Sequence, residues 1–261
     1  MPRFLLSLLV ALAASSLLSS CVQHPSAGVL RIAAASNIKF ALETLLEGYA
    51  EKPNSVLVAV TYGSSGNLRA QIAQGAPFDL FLSADLALPE QLIKMGQADA
   101  DSLVPYAVGR LVIWVPNSSP IEVDTLKERA LLAPEARKIA IANPDHAPYG
   151  RAAVAALTAF GILEEVAPRF VLSENIAQAS QFVESGAADI GVLALSLAVA
   201  PAMEKKGRYW EIPMEKFPAI VQGGVVVSAS KQKQQAGEIL ALLQSDHGRE
   251  VLVHYGFHPS R

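Results

Sequence analysis

Two spacings of apolar residues alternate along this chain. Short runs with no polar face read as buried strands. After each of them, apolar residues return every third or fourth position, the spacing of an amphipathic helix. Residues 29–35 (VLRIAAA) form the first such run, and Ile38, Leu42, Leu45, Leu46 and Tyr49 carry the helix behind it, with Ser36 and Asn37 offering its N-cap. Residues 56–62 (VLVAVTY) predict the next strand, 63–66 (GSSG) a turn and 67–73 a short helix. A strand over 78–83 and a helix over 88–95 follow. Strand and helix in alternation predict an α/β fold built on parallel sheet.

The pattern restarts near Val108. Strands are predicted over 111–115 and at the end of 136–142, with a loop at 143–150 (NPDHAPYG) and an Ala-rich helix over 151–160. A short strand at 170–172, a turn at 173–175, a helix over 176–184 and a strand over 189–195 complete this block. The chain then returns toward the first block near Phe217, through the apolar stretch 219–227 and a helix over 234–243. The expected fold is therefore α/β in two lobes, the second inserted into the first, with a ligand cleft between them. Residues 29–107 and 213–261 belong to the first lobe and 108–212 to the second. Ligands of such sheets sit beyond the carboxyl ends of the strands.

The N-terminus carries a different pattern. Arg3 precedes an almost wholly apolar stretch, 4–18, which is shorter than the roughly 20 residues of a membrane span and suits a signal peptide. Leu18, Ser19 and Ser20 then lead into Cys21, the single cysteine of the chain. This resembles the lipobox of bacterial lipoproteins and makes Cys21 the expected lipidation site. Residues 1–21 are read as signal peptide with lipobox, and 22–28 as a tether. With one cysteine there is no internal disulfide to expect, although the compartment permits one. The 261 residues are 51% hydrophobic and 17% charged, with a formal net charge of -3, and mean hydropathy is +0.31. That balance gives no basic face for nucleic acid.

Four strand-to-helix turns share one character. They are Ala35, Ser36 and Asn37; Gly63 to Gly66; Pro148, Tyr149 and Gly150; and Glu174, Asn175 and Ile176. Each places backbone N–H groups at a helix N-terminus, where orphan donors and the positive end of the dipole favour an anion. Singly, each is also an ordinary capping turn. No lysine or arginine stands in the four turns, though Lys39, Arg69 and Arg151 follow closely. A fully deprotonated tetrahedral dianion wants donors only, whereas hydrogen phosphate also wants an acceptor. Glu174 is the one carboxylate in the turns and is expected to face solvent.

The strings AAASN at 33–37, YGSSGNLRAQI at 62–72, GAPFDLFLSAD at 75–85, IANPDHAPYG at 141–150 and HYGF at 254–257 resemble the periplasmic molybdate-binding protein family. The resemblance covers essentially the whole mature chain. It implies a type II periplasmic-binding fold and a monomer that delivers molybdate or tungstate to the membrane subunits of an ABC importer. It implies no cofactor, no enzyme activity and a periplasmic or lipid-anchored envelope location. Its oxyanion ligands map onto Ser36, Asn37, Ser65, Tyr149 and the backbone of Ile176. Many members carry a tyrosine in the late second-lobe strand, where this chain has Ala194; Tyr149 is expected to replace that phenol.

Two alternatives stay open at this point. One is another tetrahedral oxyanion such as sulfate, distinguished from molybdate by cavity size. The other is an envelope hydrolase using Asp145 and His146 with a serine, although a G-x-S-x-G elbow needs glycine where Asn67 stands. His254 and His258 have metal-ligand spacing for a helix, but Gly256 and Pro259 argue against a helix across them. The lipobox has a direct test. Cys21→Ala is expected to abolish acylation and membrane association while leaving the domain folded, as read by fatty-acid labelling and membrane fractionation. Recovery of the unsubstituted protein purely as a soluble, unmodified chain would reject the lipobox.

Overall fold

The computed structural model describes residues 28–53 and 55–260. The signal segment, Cys21 and nearly all of the tether lie outside these residues. The chain begins with β1 (Leu30–Ala35), α1 (Lys39–Ala50), β2 (Val58–Gly63), α2 (Ser65–Ala73), β3 (Leu80–Ser83), α3 (Ala87–Lys94) and β4 (Val104–Gly109). It continues with β5 (Leu111–Pro116), α4 (Val123–Leu126), β6 (Ile139–Ala142), α5 (Pro148–Ala159), α6 (Leu163–Val166), β7 (Phe170–Ser173), α7 (Ile176–Glu184), β8 (Ile190–Ala194), α8 (Leu195–Ala198) and β9 (Gly207–Glu211). Last come β10 (Ile220–Val226), α9 (Lys233–Gln244), α10 (Asp246–His254) and β11 (His258–Pro259).

These strands form two mixed sheets, one to each lobe. The first has the order β11-β4-β10-β3-β1-β2 and the second β7-β6-β8-β5-β9. The first sheet takes β1 to β4, and then β10 and β11 after the whole second sheet has intervened, so the second lobe is an insertion. The chain leaves the first sheet after Gly109 and enters the second at Leu111. Val108 and Gly109 therefore lie two residues beyond the boundary read at Ala107, because Pro105 obscures the strand pattern of β4. Pairing with β10 sets where that strand ends.

Strand burial explains why the apolar runs were readable. β3, β6 and β8 are buried at every position, and β1 at every position except Arg31, as expected of strands covered on both faces. Side chains alternate across the first sheet. Ile32, Ala34, Leu80 and Leu82 pack with Leu42 and Leu45 of α1 and Leu240 and Leu243 of α9. Ala33 and Phe81 face the other way, toward Leu68 and Ile72 of α2 and Leu88 and Leu92 of α3. In the second lobe Trp114, Ile141 and Val192 share one cluster with Leu157 of α5 and Val183 of α7. β9 (GRYWE) and α10 (DHGREVLVH) are not anticipated from periodicity; one is an edge strand and the other a mostly polar helix.

Register decides where the turns fall. Ala35 pairs with Gly63 and Ala34 with Leu82, so β1, β2 and β3 end along one edge. In the second lobe Ala142 pairs with Ser173, so β6 and β7 end together. Two helices begin earlier than periodicity suggests: α2 at Ser65 and α5 at Pro148. Proline suits that first position, because its missing N–H had no intrahelical partner there. The start of α5 depends on Gly150. A Cβ on Gly150 would stand 2.1 Å from the Ala142 carbonyl oxygen and 2.8 Å from the Pro144 nitrogen, both backbone atoms. Gly150→Ala is therefore expected to destabilise the protein by about 1–3 kcal/mol, the range of an overpacking defect. Urea denaturation measures this; an unchanged midpoint would mean that the Ala142–Pro144 backbone moves aside without cost.

Candidate functional site

The ends of β1, β2, β3, β6 and β7 face one another across the two lobes and enclose a small cavity of about 10 Å³. Its lining comes from the turns: Ala35, Ser36 and Asn37 after β1, Gly63, Ser64 and Ser65 after β2, and Ala84 after β3. The second lobe adds Ala147, Pro148, Tyr149 and Ile176. All five residues singled out in the sequence line this one cavity. Each is nearly inaccessible, from Asn37 and Ser65 at 1% exposed to Ile176 at 4%. Ala194 ends β8, fully buried, outside that lining.

Four hydroxyls line the cavity, and three of them, on Ser36, Ser65 and Tyr149, stand under the same constraint. Ser36 Oγ accepts the Ala177 N–H at 3.3 Å, and Ser65 Oγ accepts the Ala84 N–H at 3.0 Å. Tyr149 Oη accepts from Asn37 Nδ2 at 3.3 Å and from Gln222 Nε2 at 3.2 Å. Each oxygen thus accepts from at least one protein N–H. Among the described residues, none of the three protons is donated to a protein acceptor. Burial pushes the Tyr149 phenol well above its ordinary pKa, against the hydrogen bonds from Gln222 and Asn37 that pull it down. It keeps its proton throughout the physiological range and serves as a donor.

The caps lie elsewhere than the sequence suggests. Ser36 belongs to a 3-10 turn and makes no capping bond. Ser64, not Ser65, caps α2, accepting the Asn67 N–H at 3.4 Å. Asn175 caps α7, taking the N–H groups of Ala177 and Gln178 at 3.1 Å each. Ser65, Tyr149 and Ile176 occupy the first or second helical position. Their N–H groups have no intrahelical acceptor and point out of the helix ends. The Asn37 amide is committed differently from expectation: Nδ2 donates to Tyr149 Oη and, at 3.1 Å, to Gln222 Oε1. Its Oδ1 is buried with no partner among the described residues.

Among the described residues, no charged side chain lines the cavity. Of the nearby cations, Arg151 pairs with Asp85 at 2.6 Å and Lys39 lies over the Phe40 and Tyr62 rings. Glu174 is exposed, as expected, and accepts from Asn67 Nδ2 at 3.4 Å. Favourable potential in the cavity comes from fixed dipoles of hydroxyls and helix N-termini.

Several contacts join the lobes around it. Gly66 N–H donates to the His146 carbonyl at 2.9 Å, and Ser196 Oγ to the Asn37 carbonyl at 2.9 Å. A Cβ on Gly66 would stand 2.5 Å from that His146 oxygen, so glycine is what permits the approach. His146 Nδ1 lies 3.0 Å from Ser64 Oγ. This serine–histidine pair is the nearest arrangement to the hydrolase alternative. It lacks the third group that orients such a histidine: Asp145 is exposed and makes no hydrogen bond to the ring among the described residues. Among the described residues no group of three or more His, Cys, Asp or Glu side chains is placed to hold a metal, and α10 stops at His254, short of His258. Larger surface cavities, of about 490 and 530 Å³, lie away from these turns.

Sequence reasoning missed Gln222, Tyr106 and Gly109. Gln222 was signalled all the same, as the one polar side chain in the apolar run 219–227, since a buried amide needs partners.

The bacterial extracellular solute-binding protein family matches residues 30–258. The molybdate-binding protein ModA of Azotobacter vinelandii is 35% identical over 255 residues, covering 97% of this chain and 98% of that protein. A Bacillus subtilis (strain 168) protein named a putative ABC transporter substrate-binding lipoprotein is 28% identical, covering 95% of this chain and 96% of its own. Among solved structures, the periplasmic molybdate-binding protein of Azotobacter vinelandii superposes with a TM-score of 0.82 at 32% identity, over 89% of this chain and all of the other. The sulfate-binding protein of Mycobacterium tuberculosis H37Rv shares the fold, with a TM-score of 0.73 at 14% identity. With its two mixed sheets, inserted second lobe and cleft of helix N-termini, the chain belongs to the bacterial extracellular solute-binding protein family, in the group of the periplasmic molybdate-binding proteins.

Proposed function

We propose that this protein captures molybdate or tungstate outside the cytoplasm and delivers it to the membrane subunits of an ABC importer. The observation that carries this reading is the state of the three hydroxyls. Ser36, Ser65 and Tyr149 come from both lobes and line one cavity. Each accepts from a protein N–H, Tyr149 from two, and has a proton still to give. The N–H groups at the starts of α2, α5 and α7 add donors. An anion that is only an acceptor fits such a site. Hydrogen phosphate brings a proton of its own and finds no carboxylate lining the cavity. The names of the relatives support molybdate in particular. Tungstate is its near-isostere and offers the same acceptors.

The contacts between the lobes are individually weak. The side chains of the Arg151–Asp85 pair are 42% and 31% exposed, and such pairs contribute roughly 0–1 kcal/mol. Hydrogen bonds to a charged group contribute about 1.5–3 kcal/mol each. Several of them on one anion outweigh the latch, so the ligand decides whether the lobes stay closed. The protein acts as a monomer, since both halves of the site lie in one chain. No helix among the described residues is long and apolar enough to cross a membrane. Attachment to the envelope then rests on a lipid at Cys21, outside the described residues, and the name of the Bacillus relative supports this.

Thermal denaturation gives the first check. Molybdate and tungstate are each expected to raise Tm, by about 2.7 kcal/mol of added stability at a hundredfold excess over Kd. Sulfate should do so less and phosphate not at all. If neither molybdate nor tungstate moves Tm, the oxyanion reading is wrong. The two adjacent serines give the second. Ser65→Ala is expected to weaken molybdate binding about tenfold to a hundredfold by titration calorimetry. It should also cost about 1 kcal/mol of ligand-free stability, because the Ala84 N–H loses its acceptor. Ser64→Ala removes the α2 cap, for a similar stability loss, and should keep most of the affinity. Equal affinity in Ser65→Ala and the unsubstituted protein would remove Ser65 from the site.

A further inference from the structure

We propose that Gln222, far from the cavity in sequence and absent from its lining, is the positioning residue that aims the Tyr149 proton at the bound anion. This rests on the reading of Tyr149 as an anion donor. Gln222 is fully buried in β10 of the first lobe, whereas Tyr149 opens α5 of the second. Its Nε2 donates to Tyr149 Oη at 3.2 Å. Its Oε1 accepts from Asn37 Nδ2 at 3.1 Å and stands 3.2 Å from Tyr106 Oη.

Those partners dictate which way the amide faces. Asn37 Nδ2 is a donor only. The Tyr106 hydroxyl, 3.2 Å from the Ser83 carbonyl as well, is held by burial well above its ordinary pKa and keeps its proton. The donor-only Asn37 Nδ2 requires the oxygen of Gln222 on that side, which turns Nε2 toward Tyr149; the single Tyr106 proton has both this oxygen and the Ser83 carbonyl within reach. The phenol oxygen then receives hydrogen bonds from two amides and meets no protein acceptor among the described residues. Its own proton is left to the cleft. Gly109 completes the slot, because a Cβ there would stand 2.2 Å from Tyr149 Oη and 3.1 Å from Gln222 Nε2. An acceptor in place of Nε2 would draw the phenol proton inward and present the lone pairs of the oxygen to the anion.

Molybdate titration of four proteins tests this: unsubstituted, Gln222→Met, Tyr149→Phe and the double variant. Gln222→Met is expected to weaken molybdate binding about tenfold when Tyr149 is present, the lower end of one charge-assisted hydrogen bond. In the Tyr149→Phe background the same change should cost little or nothing. A merely structural glutamine would cost the same in both backgrounds, and that result overturns the proposal while leaving the oxyanion reading intact. Absence of molybdate binding by the unsubstituted protein overturns the reading and the proposal together. Should Gln222→Met not fold, Gln222→Glu keeps the shape and replaces the donor with an acceptor. Its repulsion of the dianion acts in both backgrounds. The loss with Tyr149 present should therefore exceed the loss in the Tyr149→Phe background by about tenfold, and equal losses overturn the proposal.

Discussion

A hydroxyl carries one proton, and when its lone pairs are occupied by other donors that proton must find an acceptor elsewhere. This constraint organises the cleft. Ser36, Ser65 and Tyr149 differ in chemistry and come from different turns, yet each accepts from a protein N–H. The Ala177 and Ala84 donors are backbone groups set by the fold, and the donors to Tyr149 are amides held in a buried network. A site made this way needs no formal positive charge. Within each lobe the fold fixes the turns and helix starts, and closure brings the two half-sites together.

The fold's part is to bring those oxygens to one place. Parallel pairing of β1 with β2 and β3, and of β6 with β7, ends several strands along a shared edge. β2, β6 and β7 lead into helices whose first or second residues, Ser65, Tyr149 and Ile176, have N–H groups with no intrahelical acceptor. One lobe supplies half of such a shell. The insertion of the second lobe between β4 and β10 sets the two halves face to face, and glycine allows the close approach at Gly66 and at Gly109. The Ala177 N–H on Ser36 Oγ, and the Asn37 and Gln222 amides on Tyr149 Oη, all cross between the lobes. Closure therefore does more than cover the ligand: it fills the acceptor sites that turn the Ser36 and Tyr149 hydroxyls into donors.

Selectivity divides into two physical parts. Donor-only chemistry separates fully ionised anions from those that keep a proton. Size separates molybdate and tungstate from sulfate, since the metal–oxygen bonds are longer than sulfur–oxygen bonds. Asn37 bears on the first part. Its Oδ1 is a buried acceptor without a partner among the described residues. The two bonds from Nδ2 to Tyr149 and Gln222 fix how that amide is turned.

Much of this was legible in the chain itself. Strands buried on both faces leave continuous apolar runs, so β1, β3, β6 and β8 announce themselves; the turns after β1, β2, β6 and β7 hold Ser36, Asn37, Ser65, Tyr149 and Ile176, which the family resemblance singled out. The insertion was legible too, from a strand-and-helix pattern that restarts and then returns. The sequence could not tell a cap from a free hydroxyl. Ser64 and Ser65 are identical neighbours, and only the helix start and the distance to the Ala84 N–H separate them. Nor could it tell that the Asn37 side chain faces inward. The edge strand β9 and the mostly polar α10 lacked a pattern strong enough to read, because their positions are decided by what they pack against. Gln222 stood out as a lone amide in an apolar strand, but its partners lie 73, 116 and 185 residues away. Local pattern records what each residue buries. Which donor meets which oxygen across two lobes is set by the fold alone, because hydrogen bonds depend on angles and tenths of an ångström that no spacing in sequence encodes.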